Sequence, residues 1–185
     1  ESCKVIKTEL GTHPTPTTGN VEASEKIVRM ADEASEEDLV IVIISGGGSS
    51  LLCWPESERG QGERLYNDFL KTGGTIDELN TIRKHISKLK GGGLAKILYP
   101  ATVVGLIFSD VPGDDCSIIA SGPLCPSKAN KKDAEAIIEK YDLGEFDLEE
   151  TPQDKKYFEK VRNFFLVNNE IALMAMEAKA KKLGF

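Results

Sequence analysis

The chain has 185 residues, with 23 Lys and Arg against 30 Asp and Glu; a formal charge of −7 makes nucleic acid and anionic membranes poor candidates for its main partner. That length suits one domain with a core of its own. No apolar run reaches the roughly 20 residues of a bilayer span, and no signal-peptide pattern opens the chain.

In chain order, Cys3–Lys7 reads as strand-like and His13-Pro14-Thr15-Pro16 as a rigid loop. Asn20–Ala34 is an amphipathic helix with Ile27, Val28, Ala31 and Ala34 on its inner face. Leu39–Ile44, a continuous Val/Ile run, predicts a strand buried on both faces. Glu63–Lys71 is a short helix, and Thr75-x-x-Glu78 is a capping box opening another that runs to about Lys88. A short helix at Leu94–Leu98 precedes a second buried strand, Thr102–Phe108. Lys131–Tyr141 is helical, Asp142–Asp154 is acidic and exposed, Arg162–Val167 is a third strand, and Asn169–Leu183 is a long helix with Ile171, Met174, Ala175 and Ala178 inward. Alternating strands and helices predict an α/β fold, a three-layer α/β/α Rossmann-like domain with a mostly parallel sheet. Both ends look cut, so the chain reads as a piece of a longer protein. Cys3, Cys53, Cys116 and Cys125 share no CxxC spacing and read as small buried or surface thiols of a reducing compartment, which makes a cytoplasmic location the expectation.

Three glycine- and serine-rich turns carry the chemical signal. Ser45-Gly46-Gly47-Gly48-Ser49-Ser50 follows the first strand, Lys90-Gly91-Gly92-Gly93 follows a basic helix, and Ser109-Asp110-Val111-Pro112-Gly113-Asp114-Asp115 follows the second strand. Ligands of parallel α/β sheets bind at the carboxyl ends of strands, where glycine lets backbone N–H groups approach closely. The first turn lacks the GK[ST] ending of a Walker A loop and is not GxGxxG, so phosphate contact and a plain tight turn stay equally open. Arg83, Ser87 and Lys90 recur at i, i+4 and i+7 and read either as one anion-facing stripe or as a solvated basic face at a helix C-terminus. His85 reads as a structural or surface histidine. Asp110, Asp114 and Asp115 offer hard oxygens suited to Mg²⁺, or simply cap a turn.

Five motifs then appear in order: His13-Pro14-x-Pro16; Ser45-Gly46-Gly47-Gly48-Ser49; Asn80-x-x-Arg83-Lys84-His85-x-Ser87-x-x-Lys90-Gly91-Gly92-x-Leu94-Ala95; Ser109-Asp110-Val111-x-Gly113-Asp114-Asp115; and Ile119-Ala120-Ser121-Gly122-Pro123. Together they resemble the first, DUF4147-like domain of the glycerate 2-kinases of the MOFRL type, from about Gly11 to the chain end. The sequence departs from that pattern with Ser50 in place of alanine and with Thr17, after Pro16, in place of an acidic residue. The resemblance implies phosphorylation of D-glycerate at its 2-hydroxyl by ATP, with Mg²⁺, in a cleft completed by a preceding glycine-lysine segment and a following MOFRL domain; a homodimer is compatible with it. The 185 residues alone are not expected to turn over.

The resemblance also implies roles. Backbone N–H groups of Gly46, Gly47, Gly48 and Ser49 would hold phosphate oxygens, and Arg83 and Lys90 would grip the glycerate carboxylate or the transferring phosphoryl group. Asp110, with Asp114 or Asp115, would hold Mg²⁺ or take the hydroxyl proton, while Ser45, Ser87 and Ser121 would donate hydrogen bonds. Two rivals are a nicotinamide-dependent hydroxypyruvate reductase, which lacks its GxGxxG fingerprint here, and a non-catalytic domain that only binds nucleotide or glycerate.

Overall fold

The computed structural model describes residues 6–185. The strand expected at Cys3–Lys7 therefore falls mostly outside the described residues, and Ile6 and Lys7 carry no strand. Three strands, β1 (Leu39–Ile44), β2 (Thr102–Phe108) and β3 (Val161–Val167), form one parallel sheet in the order β1-β2-β3. The helices are α1 (Thr18–Asp32), α2 (Gly48–Leu51), α3 (Glu56–Phe69), α4 (Ile76–His85), α5 (Gly93–Leu98), α6 (Lys131–Lys140) and α7 (Asn169–Lys182). The α/β class and the parallel sheet are as expected.

Period-2 alternation sorts the sheet into two faces. Val40, Val42 and Ile44 lie beside Val103, Gly105 and Ile107, which in turn meet Val161, Asn163 and Phe165. This face packs with Val28 and Ala31 of α1, Leu94 and Leu98 of α5, and Ile119 and Leu124 into one core. Leu39, Ile41 and Ile43 of β1 and Phe164 and Leu166 of β3 point the other way and are exposed. The expectation that β1 is buried on both faces is thus corrected. A continuous apolar run specifies compatibility with double burial, but β1 is the edge strand and the described residues place helices against only one side of it.

Two helices are corrected in the same manner. The α7 face expected inward, Ile171, Met174, Ala175 and Ala178, is exposed, since α7 has no buried residue. In α1, Ile27 is exposed while Val21, Ser24, Val28 and Ala31 are buried. A second core lies beside the first, where α3 and α4 meet α6: Leu65, Phe69, Leu79, Ile82, Ile86 and Ala134. Leu143 and Leu148 join it, so the acidic segment after α6 is anchored by its apolar residues and not wholly exposed.

The capping box at Thr75 and Glu78 forms as expected and starts α4, with the Glu78 N–H donating to Thr75 Oγ1 and the Thr75 N–H to Glu78 Oε2. That helix stops at His85, three residues short of the expectation, because Ser87 Oγ accepts the Leu89 and Lys90 N–H groups and bends the chain into a turn. Upstream, α3 begins at Glu56, seven residues earlier than expected, just after Pro55. The reading of Cys116 and Cys125 as separate thiols is also corrected. The segment after β2 folds back so that residues nine apart in sequence reach a Cα–Cα distance of 6.2 Å and are joined by a disulfide, a pairing CxxC arithmetic does not find. No helix among the described residues is long and apolar enough to cross a membrane.

Candidate active site

Parallel strands deliver the loops after β1 and β2 to the same edge of the sheet. Gly47 takes a left-handed conformation, φ 82°, as the N-cap of α2. Gly48 packs so tightly on the next turn that a Cβ there would lie 2.6 Å from Ala120 Cβ. Ser50 and Leu51 donate to Gly47 O, so the turn itself does not consume the N–H groups of Gly46 to Ser49. Asp110, exposed at the end of β2, rests its carboxylate against Gly46. The fully buried Ser121 shares a 2.9 Å hydrogen bond between its Oγ and that of Ser49. Its carbonyl accepts the Gly91 N–H at 2.9 Å, and Gly122 O accepts the Gly92 N–H at 2.8 Å. Segments far apart in sequence, the glycine loop, the 119–123 turn and the Lys90 glycine run, are thus fastened together by backbone and hydroxyl bonds.

Beside the glycine loop is a cleft walled by Pro14–Pro16, Ser49, Ser50, Tyr66, Arg83 and Lys90, with Glu58 and Cys53 beneath. Arg83 is half-buried, its guanidinium 5.8 Å from the Tyr66 ring centroid, and no carboxylate among the described residues is within ion-pair distance of it. Burial pushes Arg83 below its ordinary pKa, while Tyr66 and Glu58 pull it back up. An arginine cannot discharge in this range, so burial without a partner describes a cation prepared for an anionic ligand.

Lys90 differs. It is 3 % exposed, its Nζ donates to Leu52 O at 2.8 Å, and it forms a tight ion pair with Glu58, itself 4 % exposed. Glu58 also accepts the Trp54 N–H at 2.8 Å. The two cations expected on one helical stripe therefore reach the same cleft by different routes: Arg83 from α4, Lys90 from the turn after it. The thiol of buried Cys53 is pushed up to about 12, chiefly by burial and then by Glu58.

The remaining expected site residues lie as follows. Ser45 is exposed, with its Oγ 3.4 Å from Gly46 O. Ser87 is buried and spends its hydroxyl on the turn that carries Lys90. Asp114 accepts from Asn168 Nδ2 at 2.6 Å. Asp115 accepts from the Ser117 N–H and from Lys128 Nζ, both at 2.9 Å, and Lys128 and Ser117 hold its carboxyl down at about 2. The three carboxylates thus point to different partners, and among the described residues no group of three His, Cys, Asp or Glu side chains converges to hold a metal. Asp110 alone stays beside the glycine loop. His85 is fully buried, its Nδ1 2.7 Å from Thr81 O, in keeping with a structural role.

Sequence reasoning missed Glu58 and Tyr66. Glu58 lies 32 residues from Lys90, and neither spacing nor a motif links them.

The family model for the domain of unknown function DUF4147 matches residues 1–151. A D-glycerate 2-kinase of Thermotoga maritima is 35% identical across 94% of this chain and 43% of its own length. A protein of Agrobacterium vitis named as a hydroxypyruvate reductase is 46% identical across 71% of this chain and 30% of its own. The crystal structure of a glycerate kinase from Thermotoga maritima superposes with a TM-score of 0.85 at 34% identity, covering 95% of this chain and 44% of that one. The chain thus spans less than half the length of these relatives.

Proposed function

The chain belongs to the DUF4147 family, and from that premise we propose that it supplies the substrate cleft of a glycerate 2-kinase, which transfers the γ-phosphoryl group of ATP to the 2-hydroxyl of D-glycerate. The observation that carries this reading is unpaired, half-buried Arg83 facing the Ser49–Ser50 end of the glycine loop, in a chain similar to kinases of that name. The guanidinium fork fits a planar carboxylate in two hydrogen bonds. The N–H groups of Gly46 to Ser49 would take phosphate oxygens on the loop's other side. The glycerate hydroxyl oxygen forms a bond to the γ-phosphorus as the bond to the β,γ-bridging oxygen breaks; ADP leaves and Asp110 accepts the hydroxyl proton. Ser121 would act by holding Ser49, and Ser87 by shaping the Lys90 turn. Mg²⁺ would arrive with the phosphates of the nucleotide; Asp114 and Asp115 are engaged elsewhere, which leaves Asp110 to the proton.

A nicotinamide reductase needs the GxGxxG turn and an acidic residue about 20 positions on, and GGGSS after β1 supplies neither the spacing nor the helix length for it. A coupled ADP-release assay on the full-length protein with D-glycerate tests the kinase reading. Glycerate-dependent ADP formation is expected; its absence, together with saturable NADH binding, would replace the kinase by the reductase.

A further inference from the structure

The cleft floor holds a buried ion pair whose members do unequal jobs. Lys90 has three donors; Leu52 O and Glu58 take two, and the ammonium borders the cleft. At 3 % and 4 % exposure, both charges are largely withdrawn from solvent, and their mutual attraction is weakly screened. Glu58 therefore cancels most of the Lys90 field inside the cleft. The other cleft carboxylate, Glu63, is on the exposed rim, where solvent and salt weaken it. What remains is Arg83, which no carboxylate among the described residues pairs and which Glu58 reaches only through space.

We propose that Glu58 is a specificity-determining residue: by neutralising Lys90 it gives the cleft a single net positive charge, which suits a hydroxy acid bearing one carboxylate and disfavours the same acid once phosphorylated. The inference rests on the glycerate-kinase reading and deepens it. A phosphate monoester adds about 1.5 to 2 negative charges to a substrate that carries one. A cleft with two free cations would retain that product, whereas a cleft with one binds the substrate and lets the product go. Glu58 touches neither ligand in this account; it acts through Lys90.

The test uses the full-length protein and equilibrium titration of D-glycerate and 2-phosphoglycerate. Glu58→Gln keeps an oxygen for the Trp54 N–H and leaves Lys90 charged. Coulomb attraction scales with ligand charge, so 2-phosphoglycerate should tighten at least about tenfold and D-glycerate only about twofold. Lys90→Met removes the cation and leaves its partner side chain, and should shift the same ratio the opposite way, with all variants titrated at one temperature below the lowest thermal midpoint among them. The double variant Glu58→Gln/Lys90→Met should return the ratio to the wild-type value. A residue that only supports the fold would weaken both ligands alike, with no reversal of sign between the single variants and no recovery in the double; that result overturns the proposal. Where the wild-type protein shows no glycerate turnover, the kinase reading falls on its own, and formate against inorganic phosphate, titrated in the same proteins, decides the charge effect without any reaction. An unchanged phosphate-to-formate ratio in both single variants would overturn it.

Discussion

Arg83 and Lys90 are seven positions apart and carry the same formal charge, yet their surroundings give them different energetic roles. Truncating half-buried Arg83 removes a cation that no carboxylate among the described residues pairs, so Arg83→Ala in the full-length protein should leave the melting temperature nearly unchanged and lower kcat/KM for glycerate by at least about tenfold, roughly 1.4 kcal/mol. Arg83→Lys should recover little, because a point charge does not replace the planar fork. Truncating Lys90 instead strands the buried Glu58 carboxylate, which costs about 3–5 kcal/mol. Lys90→Ala should therefore show first as a lowered thermal midpoint, with the double variant Glu58→Gln/Lys90→Met regaining most of it. Lys88, exposed and paired with Glu149 at 3.2 Å, serves as control: Lys88→Ala should be nearly silent in both measurements. Asp110→Asn should lower kcat with little change in stability, since the carboxylate is exposed; a fall in stability with kcat intact would make it a structural cap.

At the scale of elements, the second core depends on how α4 is started and held. Glu78 closes the capping box on Thr75 and also receives Lys140 Nζ at 2.6 Å and Tyr141 Oη at 2.9 Å, joining α4 to the end of α6. The Lys140 bond, then the Thr75 N–H, hold its carboxyl down at about 2, against 4.5 for the ordinary group. A depressed folded pKa means the contribution is fully present above pH 4.5 or so and is lost as pH falls through about 2. Glu78→Gln should thus melt lower than wild type at pH 7, the gap closing between pH 4.5 and 2; a gap independent of pH would show that packing, not charge, is lost. The helix start at Thr75 was legible because a capping box is a local pattern. The helix stop at His85 was not, because Ser87 bends the chain by bonding two N–H groups, a choice that also depends on Gly91 and Gly92 docking onto Ser121 and Gly122.

For the whole molecule, one face of the sheet and all of α7 remain uncovered by the described residues, and the chain covers 43% of its Thermotoga relative. If the kinase cleft needs further chain to close over Arg83 and the glycine loop, the 185 residues alone should release ADP from glycerate at less than about a hundredth of the full-length rate, since excluding water and completing the charge field carry most of the acceleration in phosphoryl transfer. Equal rates would mean that this cleft is sufficient.

The sequence alone determined the parallel α/β class, the three strands, most helix starts and the glycine turns at strand ends, because hydrophobic period and turn chemistry are local properties of the chain. Motif order also made Arg83, Lys90, Asp110 and Ser121 candidates for one site by resemblance; Arg83 and Lys90 line one cleft, and Asp110 and Ser121 lie against the glycine loop beside it. Only the tertiary structure decided which of these charges is free. Lys90 is paired with Glu58, Asp115 is tied to Lys128 and Asp114 to Asn168, and Cys116 meets Cys125. It likewise decided that β1 is bare on one side and that α7 buries nothing. The physical reason is the same in each case: burial and pairing depend on which distant segments come within a few ångströms, and a residue's own neighbours in sequence carry no record of that.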